Sequence, residues 1–125
     1  MRWRGLQQLN KVCRYFNVAK KIAESGDSKD AKRRYRLGAV GIRLEGTLVV
    51  SSNISTRRPH RNVHAESRVT KKLNAGSVVY VVRISRDYKL RNARPCGSCR
   101  KTMALRGVIR CYYSISENEY GIIDF

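Results

Sequence analysis

Acidic residues are scarce in this chain. Nine Asp and Glu stand against 27 Lys and Arg, a formal net charge of +18 over 125 residues. Glu117, Glu119 and Asp124 lie in the last nine residues, so positions 1 to 110 carry 27 basic and 6 acidic groups, about +21. Self-repulsion on that scale opposes a compact state, and a polyanionic partner is its natural counterpart. A free nucleotide needs only a local basic patch, whereas charge spread along the whole chain suits nucleic acid. Long apolar runs are missing too: none approaches the ~20 residues of a bilayer span, so no membrane insertion is expected. The opening "MRWRGLQQLNKV" has no apolar core of signal-peptide length, and a reducing cytoplasm is the expected compartment. The even count of four cysteines permits disulfides, but in that compartment a C-x-x-C pair reads as metal-binding or redox-active rather than as a structural bridge. The chain length and the ordinary 42% hydrophobic content suit one domain spanning residues 1–125.

What is present alternates helix and strand signals. Leu6, Leu9, Val12, Tyr15, Phe16, Ala19, Ile22 and Ala23 recur at steps of three and four, one apolar helix stripe with Lys11, Arg14, Lys20 and Lys21 off it. "ESGDSKDAKRR" (24–34) reads as a loop. Residues 35–44 and 47–53 flank Glu45-Gly46 as a β-hairpin. Residues 64–75 suit a helix closed by Gly76, and "SVVYVVRIS" (77–85) a buried strand. After a loop, residues 96–106 suit a short helix with Pro95 at its start and Gly107 past its end. Residues 108–115 and 120–125 read as two strands around the turn "SENE". Ten residues after Ile115 are too few for a crossover, so the last two strands are expected to be antiparallel. The order predicts an α/β fold with helices on both faces of a mixed sheet, the third and fourth strands parallel.

Two helix starts carry the chemistry. "PCGSC" (95–99) places Cys96 and Cys99 on a first helical turn, where unpaired N–H groups and the helix dipole favour thiolates. Two thiolates one turn apart can share a metal, but the motif alone leaves metal, redox and chance open. "HAE" (64–66) opens the other helix. His64 can add a nitrogen ligand, giving three protein ligands on a zinc that prefers four; a structural site would take a fourth protein residue, and a catalytic one leaves that place to water. Glu66, two residues on, is placed to move a proton at that position. Cys13, within a helix, and Cys111, within a strand, read as buried small apolar side chains. His60 reads as a surface loop residue.

H-A-E followed by P-C-x-x-C, each opening a helix of an α/β domain, resembles the zinc-dependent cytidine deaminase superfamily, whose signature is H-x-E…P-C-x-x-C. The resemblance implies a three-layer cytidine-deaminase-like fold with a five-stranded mixed sheet. It implies Zn2+ held by His64, Cys96 and Cys99, with Glu66 as the catalytic proton shuttle in conversion of cytosine to uracil and ammonia. It further implies a sugar contact at Asn53 and a backbone contact from Ala65 to the substrate amine. The antiparallel tail resembles the free-cytidine deaminases and the bacterial toxin deaminases acting on nucleic acid.

Substrate size turns on two loops that should rim one mouth. Arg57, Arg58 and Arg61 precede His64, and Arg86, Lys89, Arg91 and Arg94 precede Pro95, with Tyr88 among them. Cations with an aromatic suit a phosphate backbone and a stacked base, so Arg57, Arg58, Arg61, Tyr88, Arg91 and Arg94 are the expected binders of single-stranded DNA or RNA. Two alternatives stay open: a deaminase of free (deoxy)cytidine or (deoxy)cytidylate, and a non-enzymatic zinc-stabilised nucleic-acid-binding protein, which gives Glu66 no task. A thiol redox protein would leave both His64 and Glu66 unexplained. A homo-oligomer is left open.

Overall fold

The computed structural model describes residues 6–25, 35–52, 69–85 and 87–125. Helix α1 (Leu6–Ser25) comes first, followed by strands β1 (Tyr35–Ile42) and β2 (Leu48–Ser52). After them come β3 (Val78–Ser85), β4 (Leu90–Arg91), helix α2 (Gly97–Arg106), β5 (Arg110–Ser116) and β6 (Glu119–Asp124). The sheet order is β2-β1-β3-β5-β6, with β4 paired to the end of β3. β3 and β5 run parallel and every other pair is antiparallel. The expected five-strand mixed sheet, parallel central pair and antiparallel tail are all present. The addition is β4, a two-residue sixth strand inside the segment expected to be loop.

β3 is covered on both faces, which is why helices flank the sheet on both sides. Tyr80, Val82 and Ile84 point to one face, where they pack with Val12, Tyr15, Phe16, Ala19 and Ala23 of α1. These five positions of the expected stripe are buried and Ile22 is half-buried, while Lys11, Arg14 and Lys21 stay exposed and Lys20 is half-buried. Rings dominate this layer: Tyr80 stacks on Tyr112 with centroids 4.6 Å apart, and Phe16 meets the Tyr80 ring edge-on at 5.6 Å. Burial raises the Tyr80 phenol pKa well above its ordinary value. Val79 and Val81 point to the opposite face and pack with Val69, Leu73, Met103, Val108 and Cys111. Cys111 is fully buried there, as a small apolar side chain. Cys13 is half-buried on α1, where burial raises its thiol pKa.

Turns fix the element ends. The β1–β2 strands stop short of their expected ends because Arg43 and Thr47 close the turn, with the Gly46 N–H donating to Arg43 O at 2.8 Å. Gly46 itself sits at φ 95°. The helix expected over 64–75 is described only from residue 69. Its helical backbone gives out after Thr70, sooner than expected. The N–H groups of Lys72 and Leu73 donate to Val69 and Thr70, three residues back, tightening the last turn. The Asn74 N–H then leaves the helix for the Ser77 hydroxyl at 3.2 Å.

Gly38 sets the distance between α1 and the sheet. A Cβ at that position would lie 2.1 Å from the Ala19 carbonyl oxygen and 2.8 Å from the Ala23 nitrogen, both rigid helix backbone. Gly38→Val is therefore expected to lower stability by about 1–3 kcal/mol or more, since α1 must lift off β1. Urea denaturation checks this, and an unchanged midpoint would contradict the close approach.

Candidate active site

The β3-to-β5 crossover delivers the start of α2 to the C-terminal ends of the parallel strands. Pro95 is buried just before it, and Cys96 is the N-cap residue in extended conformation, with φ −66° and ψ 167°. The Cys96 carbonyl accepts the first intrahelical bond from the Arg100 N–H at 3.0 Å. Cys96 is exposed and Cys99 is 3% exposed, so one thiol faces outward and the other is set into the protein. Their sulfurs stand 3.4 Å apart. That is well beyond the ~2.05 Å of a disulfide, and it is close enough for both to touch one ion at ~2.3 Å. All four cysteines lie among the described residues, and none forms a disulfide. Two soft sulfur donors at one helix start fit a thiophilic cation such as zinc.

His64, Ala65, Glu66, Asn53, Arg57, Arg58 and Arg61 all fall within residues 53–68, outside the described residues, as does Arg86. Among the described residues no three His, Cys, Asp or Glu side chains gather into a metal site. The described half of the candidate centre is thus the cysteine pair. Arg91 and Arg94, both exposed, lie on the segment leading to it. Arg91 is paired with Arg83 across β3–β4, on the same sheet face as α2, and its guanidinium lies 3.7 Å from the Asp87 carboxylate. A hydrogen bond from the Ser85 hydroxyl, with lesser help from Arg91, holds the Asp87 pKa below the usual carboxylate range. Tyr88 goes elsewhere. Its ring lies on Arg36, with the guanidinium carbon 5.6 Å from the centroid. Arg36 faces α1, because its partner Ile84 belongs to the α1-side core. The structure therefore puts Arg91 on the α2 face of the sheet and turns Tyr88 to the opposite face, while Arg94 precedes Cys96 by two residues along the chain.

Ser114 is a positioning residue that the sequence did not disclose. It is fully buried in β5. Its hydroxyl donates to the Arg91 carbonyl at 2.7 Å and accepts the Arg83 N–H at 3.3 Å, while its carbonyl accepts the Ala93 N–H at 2.8 Å. One side chain thus ties β3, β5 and the exit of β4, fixing the run that ends at Cys96. The Glu117 carboxylate adds a bond from the Leu90 N–H. At the far end of α2, the Arg106 guanidinium donates to Lys71 O at 2.6 Å and Leu73 O at 3.1 Å. This clamps α2 to the end of the segment that follows the H-A-E motif, and it satisfies carbonyls that a helix end leaves open.

Two measurements check this geometry. Ser114→Ala leaves the Arg83 N–H and the Arg91 carbonyl without that partner, and is expected to cost about 1–3 kcal/mol in urea denaturation. An unaffected midpoint would show that the clamp is dispensable. Cys96→Ser with Cys99→Ser is expected to abolish zinc retention, read by elemental mass spectrometry against about one zinc per wild-type chain. Full zinc occupancy in the double variant would contradict the cysteine pair as the metal site.

No protein-family model matches the sequence, and no curated protein matches it. Solved structures do. The cytidine deaminase from Burkholderia pseudomallei superposes with a TM-score of 0.65 at 16% identity, covering 90% of this chain and 91% of its own. The cytidine deaminase from Mycobacterium leprae gives 0.61 at 14% identity, covering 89% and 92%. That from Mycobacterium tuberculosis gives 0.57 at 14%, covering 86% and 89%. The likeness spans nearly the whole of each chain, and its element order agrees with the resemblance carried by H-A-E and P-C-G-S-C: this chain has the cytidine-deaminase fold.

Proposed function

We propose that the protein is a zinc-dependent hydrolytic deaminase that converts cytosine to uracil with release of ammonia, acting on single-stranded nucleic acid. The observation that carries the reading is the Cys96–Cys99 pair, sulfurs 3.4 Å apart at a helix start, inside a fold shared with cytidine deaminases. The full sequence motif supplies the rest of the centre. His64, Cys96 and Cys99 would hold the metal, which when bound supplies Lewis-acid activation of water. Glu66 takes the proton of the attacking water, then delivers protons to the ring nitrogen and to the departing amine at C4. The Ala65 carbonyl accepts from the exocyclic amine, and Asn53 holds the sugar. Arg57, Arg58, Arg61, Arg91 and Arg94 contact phosphates. The excess of 27 basic over 9 acidic groups supports a polymeric anion over a single nucleoside.

One observation favours a second reading. The compared structures are named cytidine deaminases, while the antiparallel β5–β6 tail resembles free-cytidine enzymes and nucleic-acid-acting toxin deaminases alike and favours neither. Incubation with cytidine, deoxycytidine nucleotides, single-stranded DNA and RNA in parallel, with uracil read by mass spectrometry, separates the two. The proposal expects the polymer to be turned over more efficiently than cytidine; equal turnover at every salt concentration would assign the protein to pyrimidine salvage. Glu66→Ala is expected to lower turnover by about 10²-fold or more while zinc stays bound. Release of zinc by Glu66→Ala would make Glu66 a ligand and the centre structural.

A further inference from the structure

We propose that Tyr88 and Arg36 form a subsite for a nucleotide flanking the target base, on the face of the sheet opposite the cysteine pair. The inference rests on the nucleic-acid reading above. Tyr88 closes the turn after β3, its N–H donating to Ser85 O at 3.0 Å, and it is the single non-glycine residue at positive φ among the described residues, at 61°. A glycine would meet that backbone without steric cost. The turn instead holds a large ring that remains 52% exposed. An exposed aromatic in a strained turn points to a contact outside the chain.

The ring is held in place from one side. The Arg36 guanidinium lies 5.6 Å from its centroid and also donates to the Glu24 carbonyl at 3.4 Å, so the cation is tied to the end of α1. Arg36 thereby fixes the ring and puts positive charge beside it. This arrangement suits one nucleotide of a flexible strand: a base stacks on the ring, and the neighbouring phosphate meets Arg36 and the exposed Lys89. Arg91, on the α2 face of the same short hairpin, lies between this platform and Cys96 along the chain. A strand with its target base at the cysteine side would therefore cross the end of β3 at Arg91 and place a neighbouring base on Tyr88. Base stacking tolerates any sequence, so this subsite supplies affinity rather than base choice.

The test uses fluorescein-labelled ten-nucleotide oligothymidylate and oligouridylate, which contain no cytosine and so report binding without turnover. Fluorescence anisotropy is expected to show binding that weakens with salt. Tyr88→Gly should weaken it about 5- to 100-fold, Tyr88→Phe should retain it, and Arg36→Gln should weaken it and reduce the salt dependence. Thermal melting of Tyr88→Gly should match or exceed wild type, since the turn loses its strain. If the wild-type protein binds neither oligonucleotide, the nucleic-acid reading fails and the subsite with it. If wild type binds and Tyr88→Gly binds equally well, the subsite alone is overturned. Equal weakening by Tyr88→Phe and Tyr88→Gly would also overturn it, because the ring would not be what binds.

Discussion

β3 must be covered on both faces. Its alternating side chains, Val79 and Val81 on one side and Tyr80, Val82 and Ile84 on the other, are all buried. A strand apolar on both sides demands a layer against each, and α1 and α2 with the segment at 69–73 supply them. The parallel pairing of β3 with β5 then requires a crossover, and the crossover is α2. Its start necessarily emerges at the C-terminal ends of the two strands. That end is where a helix N-terminus can present thiols and N–H groups to a ligand, so the position of Cys96 and Cys99 follows from how the sheet is covered.

Precision at that end comes from side-chain hydrogen bonds. The β3–β5 ladder pairs Val78–Val81 with Arg110–Tyr113, and beyond it Ser114 bridges the strands through its hydroxyl. The same hydroxyl holds the segment running into Cys96. Arg106 locks the other end of α2 to carbonyls just after the H-A-E region. Gly107, at φ 88°, ends the helix without strain, with its carbonyl accepting the Gly76 N–H at 2.8 Å. α2 is thus held at both ends by groups that take no part in chemistry.

Most of this fold was legible in the sequence because its signals were long or chemically specific. The α1 stripe repeats over five turns, the β-branched run at 77–85 has no other reading, and Pro95 and Gly107 bracket α2. Two residues have no periodicity, so β4 was hidden; it exists because β3 and Glu117 offer partners to its backbone. The tight turn after Thr70 was hidden because the sequence there stays helix-compatible, and Ser77 and Asn74 decide where it ends. Ser114 sits in a strand where any small residue would read the same. Of the expected site, the cysteine pair and its helix start were legible from P-C-x-x-C. The turning of Tyr88 toward Arg36 was not, because it depends on the handedness of one turn residue rather than on residue type.

In the proposed centre Cys96 and Cys99 share one metal with a nitrogen ligand and leave one position open to water. X-ray absorption at the zinc edge of the purified protein tests it directly. Two sulfur neighbours at ~2.3 Å and two lighter neighbours at ~2.0–2.1 Å are expected. Four sulfur neighbours, or a zinc shell without sulfur, would contradict it.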